Sequence, residues 1–171
     1  QLWGRPATIY LGGGTPSVLP AKLMQQLLVK LRQVFLSGGE AEEFTVECNP
    51  GTVDEAYLVM LRELGVNRLS FGVQSFDDEL LKRIGRIHSG QQAVDAVEMA
   101  KQAGFVNLSL DLMYGLPGQT LEQLQESVRQ AFALEPQHIS IYGLQLDEGT
   151  AFYRMQELGK LTLPEEETTE A

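Results

Sequence analysis

Leu69-Ser70-Phe71-Gly72-Val73-Gln74 alternates between two kinds of residue. Successive strand residues point to opposite faces, so Leu69, Phe71 and Val73 share one side while Ser70, Gly72 and Gln74 share the other. Four further segments repeat the scheme. In Asn107 to Tyr114, Leu108, Leu110 and Leu112 oppose Ser109 and Asp111; in Phe44 to Asn49, Val46 and Cys48 oppose Thr45 and Glu47. Ile9 and Leu11 oppose Thr8 and Tyr10, and Ile139 and Ile141 oppose Ser140 and Tyr142. A helical pattern follows each segment, which predicts parallel strands joined by crossovers. Such strands are ordinarily apolar on both faces, because helices or a packed lumen cover them. A small, polar second face points instead to a cavity that holds a ligand.

Outward from these strands, the loop Gly13 to Ser17 precedes a helix expected from about Pro20 to Leu36, with Leu23, Leu27, Leu28, Leu31 and Phe35 at helical spacing. Asn49, Pro50 and Gly51 make a turn, Thr52 with Glu55 reads as a capping box, and Gly65 stops that helix near Leu64. Ser75 is the expected N-cap after the third strand, with Asp77, Asp78 and Glu79 suited to a helix N-terminus. Ser89 with Gln92 and Thr120 with Gln123 form two more capping boxes, whose helices end at Gly104 and near Leu134. A fifth strand is expected from Ile139 to Gln145 and a short helix from about Ala151 to Leu158. Five βα units define a (β/α) barrel or an open parallel sheet.

A net charge of −10 works against binding a phosphate backbone, which requires clustered Lys and Arg, so nucleic acid is not an expected partner. No apolar run reaches the length of a membrane span and no signal peptide opens the chain, and the expected location is the cytoplasm. One cysteine, Cys48, excludes an internal disulfide and a cysteine-rich metal cage. The missing initiator Met and the acidic, Thr-rich end at Glu165 to Ala171 read as signs of a piece of a longer protein.

Ligands of barrels and open α/β sheets sit at the carboxyl ends of the strands. Glu47, Gln74 and Asp111 are expected there, and their parity points all of them to the polar face. Each alone could merely cap the following helix. Together, two carboxylates and an amide without a paired nucleophile and base suit the grip of hydroxyls and an amine better than hydrolysis. Gly12, Gly13 and Gly14 allow either a tight βα turn or close approach to a ligand. Arg86 lies between two helices, either as a solvated surface residue or as a partner for a ligand carboxylate. Cys48 faces the helices as a small core residue, neither His88 nor His138 reads as a metal ligand, and core packing is the simpler role for Tyr114 and Tyr142.

Read together, YLGGGTPS (Tyr10 to Ser17), TVECNPG (Thr45 to Gly51), RLSFGVQSF (Arg68 to Phe76), GRIHS (Gly85 to Ser89), LDLMYGLPGQT (Leu110 to Thr120) and LDEGT (Leu146 to Thr150) resemble the radical S-adenosylmethionine (SAM) proteins related to oxygen-independent coproporphyrinogen III oxidase. GRIHS and LDEGT are most similar to the heme chaperone branch of that family, HemW. The resemblance implies a partial (β/α) barrel of the radical SAM type, of which residues 1–171 form a single domain, the central part, truncated at both ends. It implies that Gly13, Gly14 and Thr15 contact the methionine part of SAM, and that Glu47, Gln74, Arg86 and Asp111 complete the cofactor site. It also implies a 4Fe-4S cluster held by a CxxxCxxC motif, expected upstream of Gln1 and absent from this sequence. With Cys48 alone, the chain as given is expected neither to hold the cluster nor to cleave SAM reductively. The function implied for the whole protein is heme trafficking, with heme as a ligand. The alternatives are coproporphyrinogen III oxidation and a barrel whose glycine run binds phosphate. A fourth cysteine after CxxxCxxC is expected of the oxidase type, and an aromatic residue there of the chaperone type.

Overall fold

The computed structural model describes residues 6–37, 39–161 and 163; the segment Glu165 to Ala171 lies outside the described residues. Five strands, β1 (Thr8–Leu11), β2 (Glu43–Cys48), β3 (Arg68–Gln74), β4 (Leu108–Tyr114) and β5 (His138–Gly143), form one sheet in sequence order. Every pairing is parallel, as the alternation with helices requires. The helices are α1 (Ala21–Leu31, continued by a wider π turn over Arg32–Leu36), α2 (Glu55–Glu63), α3 (Asp78–Arg83), α4 (Gly90–Gln102), α5 (Leu121–Ala133) and α6 (Ala151–Glu157).

The aliphatic face of the sheet carries the core. Phe44, Val46, Leu69, Phe71, Val73, Leu108, Leu110 and Leu112 are buried against Leu28 of α1, Leu58 and Leu61 of α2, and Ala93, Ala96 and Val97 of α4. Removing one such Leu or Phe side chain from water is worth about 1.5–3 kcal/mol, so this face supplies most of the drive to fold. The opposite face curves around a cavity reached by Tyr10 of β1 and Tyr142 of β5, the two edge strands.

Some local expectations give way to longer-range packing. On α1 the buried stripe is Met24 and Leu28, with Leu31 packed beside them, whereas Leu23, Leu27 and Phe35 are exposed. The π turn brings Leu36 into the core, five residues after Leu31, and Arg32 Nη1 donates to the Leu64 carbonyl at 2.9 Å. The Thr52–Glu55 capping box does not form. Asp54 caps α2 by accepting from the Tyr57 N–H at 2.8 Å, while the Thr52 hydroxyl donates to the Asn49 carbonyl at 2.9 Å. Asp77, not Ser75, caps α3, because a carboxylate oxygen there accepts from both Glu79 and Leu80, each at 2.9 Å. The boxes at Ser89–Gln92 and Thr120–Gln123 form in full. The last strand stops at Gly143 rather than Gln145.

A chain of hydrogen bonds ties the loops at the carboxyl ends of β1, β2 and β3. The Asn49 N–H donates to Ser17 Oγ at 3.0 Å, and the Ser17 and Thr52 hydroxyls meet at 2.6 Å. Buried His88 spans the next gap, its ring nitrogens each 3.1 Å from Asn49 Oδ1 and the Val73 carbonyl. Both oxygens are acceptors, and a neutral ring carries one N–H, so it donates to one of them at a time; burial lowers the ring's pKa while the Val73 hydrogen bond raises it.

Candidate cofactor site

Glu47 stands next to last on β2, directed away from Cys48 and the core. Two donors hold its carboxylate: the Tyr10 hydroxyl at 2.7 Å on Oε1 and the Gly13 N–H at 3.0 Å on Oε2. A Cβ on Gly12 would lie 2.6 Å from Tyr10 Cε1 and 2.8 Å from Glu47 Oε1, so only glycine lets ring and carboxylate meet. Gly13 and Gly14 have φ of +89° and +65°, the left-handed region that glycine enters without steric cost. The run is therefore both a tight turn and a close approach. Burial and Glu47 raise the pKa of Tyr10, which keeps its phenol a donor.

Asp111 lies midway along β4 rather than at its end, paired with Gly72 on one side and Ser140 on the other. Ser70 Oγ lies 3.0 Å and 3.2 Å from its two carboxylate oxygens. Burial raises its pKa most; the hydroxyls of Ser70 and Ser140 pull it down, and nearby Glu47 pushes it up again. Gln74 ends β3 beyond a register shift, with φ of +68°. That conformation costs a side-chain-bearing residue about 1 kcal/mol, strain characteristic of functional positions. Arg86 reaches in from the loop between α3 and α4, where Nη2 donates to the Gly72 carbonyl at 2.6 Å. Its Nε is buried without a partner, no carboxylate pairs with it among the described residues, and burial lowers its pKa.

These groups line one cavity of about 250 Å³, with Gly14 and Thr15 at its edge. The sequence-predicted Glu47, Gln74, Arg86 and Asp111 come together there, and Gly13 sits behind Glu47 as a donor. Tyr142 departs from the expected packing role: it is exposed and lines the cavity. Cys48 is buried in the core at the cavity's margin, its thiol pushed up to about 12 by burial, which fits the small-hydrophobe reading. Sequence reasoning placed Tyr10 on the polar face but gave it no role. The available signal was its position on the strand directly before the glycine run.

The arrangement defines a class: a partial (β/α) barrel with a polar cavity at the carboxyl end of its strands, lined by two carboxylates, an amide and a guanidinium. Residues 2–131 match the model of the Radical SAM superfamily, and the chain belongs to that superfamily. Heme chaperone HemW from Bacillus subtilis (strain 168) is 44% identical over 160 residues, covering 94% of this chain and 42% of that relative. The oxygen-independent coproporphyrinogen III oxidase of Paracoccus denitrificans (strain Pd 1222) is 40% identical over 139 residues, 81% of this chain and 31% of that one. Among solved structures, coproporphyrinogen III oxidase (HemN) from Escherichia coli, described as a radical SAM enzyme, superposes with a TM-score of 0.79 at 27% identity, covering 95% of this chain and 37% of that chain. The chain thus spans less than half the length of these relatives.

The superfamily implies SAM and a 4Fe-4S cluster, and the site answers the two differently. An unpartnered buried guanidinium nitrogen, two carboxylates and a glycine cradle fit a ligand bearing a carboxylate, an ammonium and ribose hydroxyls. The cluster does not fit these residues, because it needs three thiolates and Cys48 is one protonated thiol. Among the described residues no three His, Cys, Asp or Glu side chains come together as a metal site, and no helix is long and apolar enough to cross a membrane.

Proposed function

We propose that this chain is the SAM-binding part of a HemW-like heme chaperone, a protein that binds heme and passes it on. The observation that carries the reading is the convergence of Glu47, Gln74 and Asp111 from three strands, with Arg86 from a loop, on one cavity. Gly13, Gly14 and Thr15 take the methionine part of SAM. Glu47, held beside Gly13, accepts from its ammonium, and Arg86 Nε donates to its carboxylate. Asp111 and Gln74, which line the same cavity, take the ribose hydroxyls, which an anionic oxygen and an amide suit. Bound beside a 4Fe-4S cluster, SAM supplies radical chemistry, and the cluster's cysteines are not in this sequence. The chaperone is favoured over the oxidase because three HemW relatives share 44–47% identity with the chain, against 40% for the oxidase, although other HemW relatives share 37–42%.

The test uses the full-length parent protein, reconstituted anaerobically with iron and sulfide. It is given heme and, separately, coproporphyrinogen III with SAM and a reductant. Stoichiometric heme binding without protoporphyrinogen formation is the expected result. Turnover to protoporphyrinogen would assign the oxidase activity instead, and the absence of both SAM binding and any cluster-dependent signal would leave only a barrel.

A further inference from the structure

We infer that Tyr10 is a positioning residue for SAM, acting through Glu47 to select ligands that carry the amino-acid arm. The inference rests on the reading of Glu47 as the ammonium acceptor. Three observations place Tyr10 in that role. Its hydroxyl donates to Glu47 Oε1 at 2.7 Å. The Gly13 N–H holds the other oxygen at 3.0 Å, so the carboxylate is gripped at both ends and loses its freedom to rotate. Gly12 leaves the space that the Tyr10 ring and the carboxylate share; an alanine Cβ would sit 2.6 Å from the ring and 2.8 Å from Oε1. With its pKa raised by burial and by Glu47, the phenol stays a donor at working pH.

Two effects of the hydroxyl compete. A donor on Oε1 draws charge from the carboxylate and weakens it slightly as an acceptor. The same donor pre-arranges a glutamate that would otherwise give up rotamer freedom on binding. Each carboxylate oxygen keeps a further lone pair for the ammonium, so fixing the geometry outweighs the lost charge. Tyr10 is itself 54% exposed, and loss of its hydroxyl leaves no polar group stranded in the core.

Calorimetric titration of the protein with SAM and with 5′-methylthioadenosine, which keeps the adenosine and lacks the amino-acid arm, separates these roles. Tyr10→Phe is expected to weaken SAM roughly five- to tenfold and to leave 5′-methylthioadenosine unchanged, which also reports that the fold is intact. In a Glu47→Ala background, Tyr10→Phe is expected to add nothing, the non-additivity that a shared interaction requires. Unchanged or tighter SAM binding by Tyr10→Phe, while Glu47→Ala loses it, would overturn the inference and leave the function standing. Equal weakening of both ligands would overturn it too, by showing that the residue shapes the adenosine site instead. Should Glu47→Ala and Glu47→Gln both keep full preference for SAM, the reading of Glu47 fails and the role of Tyr10 with it.

Discussion

On the helix-covered face of the sheet, Phe71, Leu110 and Val46 are fully buried and make contacts of one kind. On the cavity face, two residues or fewer along the same strands, Ser70, Glu47 and Asp111 each need a particular partner. The first face works by apolar area, which is non-directional; the second works by hydrogen-bond geometry. The protein therefore separates stability from binding by the two-residue period of a strand, and a change on one face should be felt weakly on the other.

The largest expected effect is on the apolar face. Phe71→Ala removes a fully buried ring at the centre of the sheet and is expected to cost about 3–5 kcal/mol of stability, read by urea denaturation. A loss below about 1 kcal/mol would mean that the face collapses around the gap and is not close-packed. On the cavity face, Arg86→Met keeps the length of the side chain and removes its donors. SAM affinity is expected to fall roughly 10- to 100-fold with stability changed by less than about 1 kcal/mol. A collapse of stability instead would show that the Arg86–Gly72 hydrogen bond holds the sheet and that the two faces are not separate.

The smallest effect carries a sign. Because burial raises the pKa of Asp111, the folded protein binds that proton more tightly than the unfolded chain does. Its favourable contribution is complete below the ordinary carboxylate pKa and is lost as pH rises through the raised value. Asp111→Asn should therefore raise the melting temperature at pH 7, with the gain shrinking as the pH falls through the carboxylate range, while SAM binding weakens. A gain that persists undiminished into acid would assign it to packing rather than to the charge.

Much of this was legible in the chain. The alternation in Leu69 to Gln74 and its repeats foretold the parallel sheet and the polar lumen, and parity assigned Glu47 and Asp111 to one face; Gln74 joins them there through the bulge at the end of β3. Capping boxes at Ser89 and Thr120 were readable because their partners are three residues apart. The errors share a cause. Thr52 and Ser75 look like caps locally, yet besides local partners (the Asn49 carbonyl and the Asp77 N–H) their hydroxyls meet those of Ser17 and Ser127, respectively, which only tertiary packing brings in. On α1, spacing alone could not choose among several leucines, and the π turn moved the face that the core receives.

The order of elements, their parallel direction and the division of each strand into an apolar and a polar side were determined by the sequence, because periodicity is a local property of the backbone. The grip of Tyr10 on Glu47 across 37 positions, the bulge that turns Gln74, and the unpartnered nitrogen of Arg86 were decided only in three dimensions. They depend on how far the sheet curves and which loops meet at its edge, which no stretch of neighbouring residues encodes.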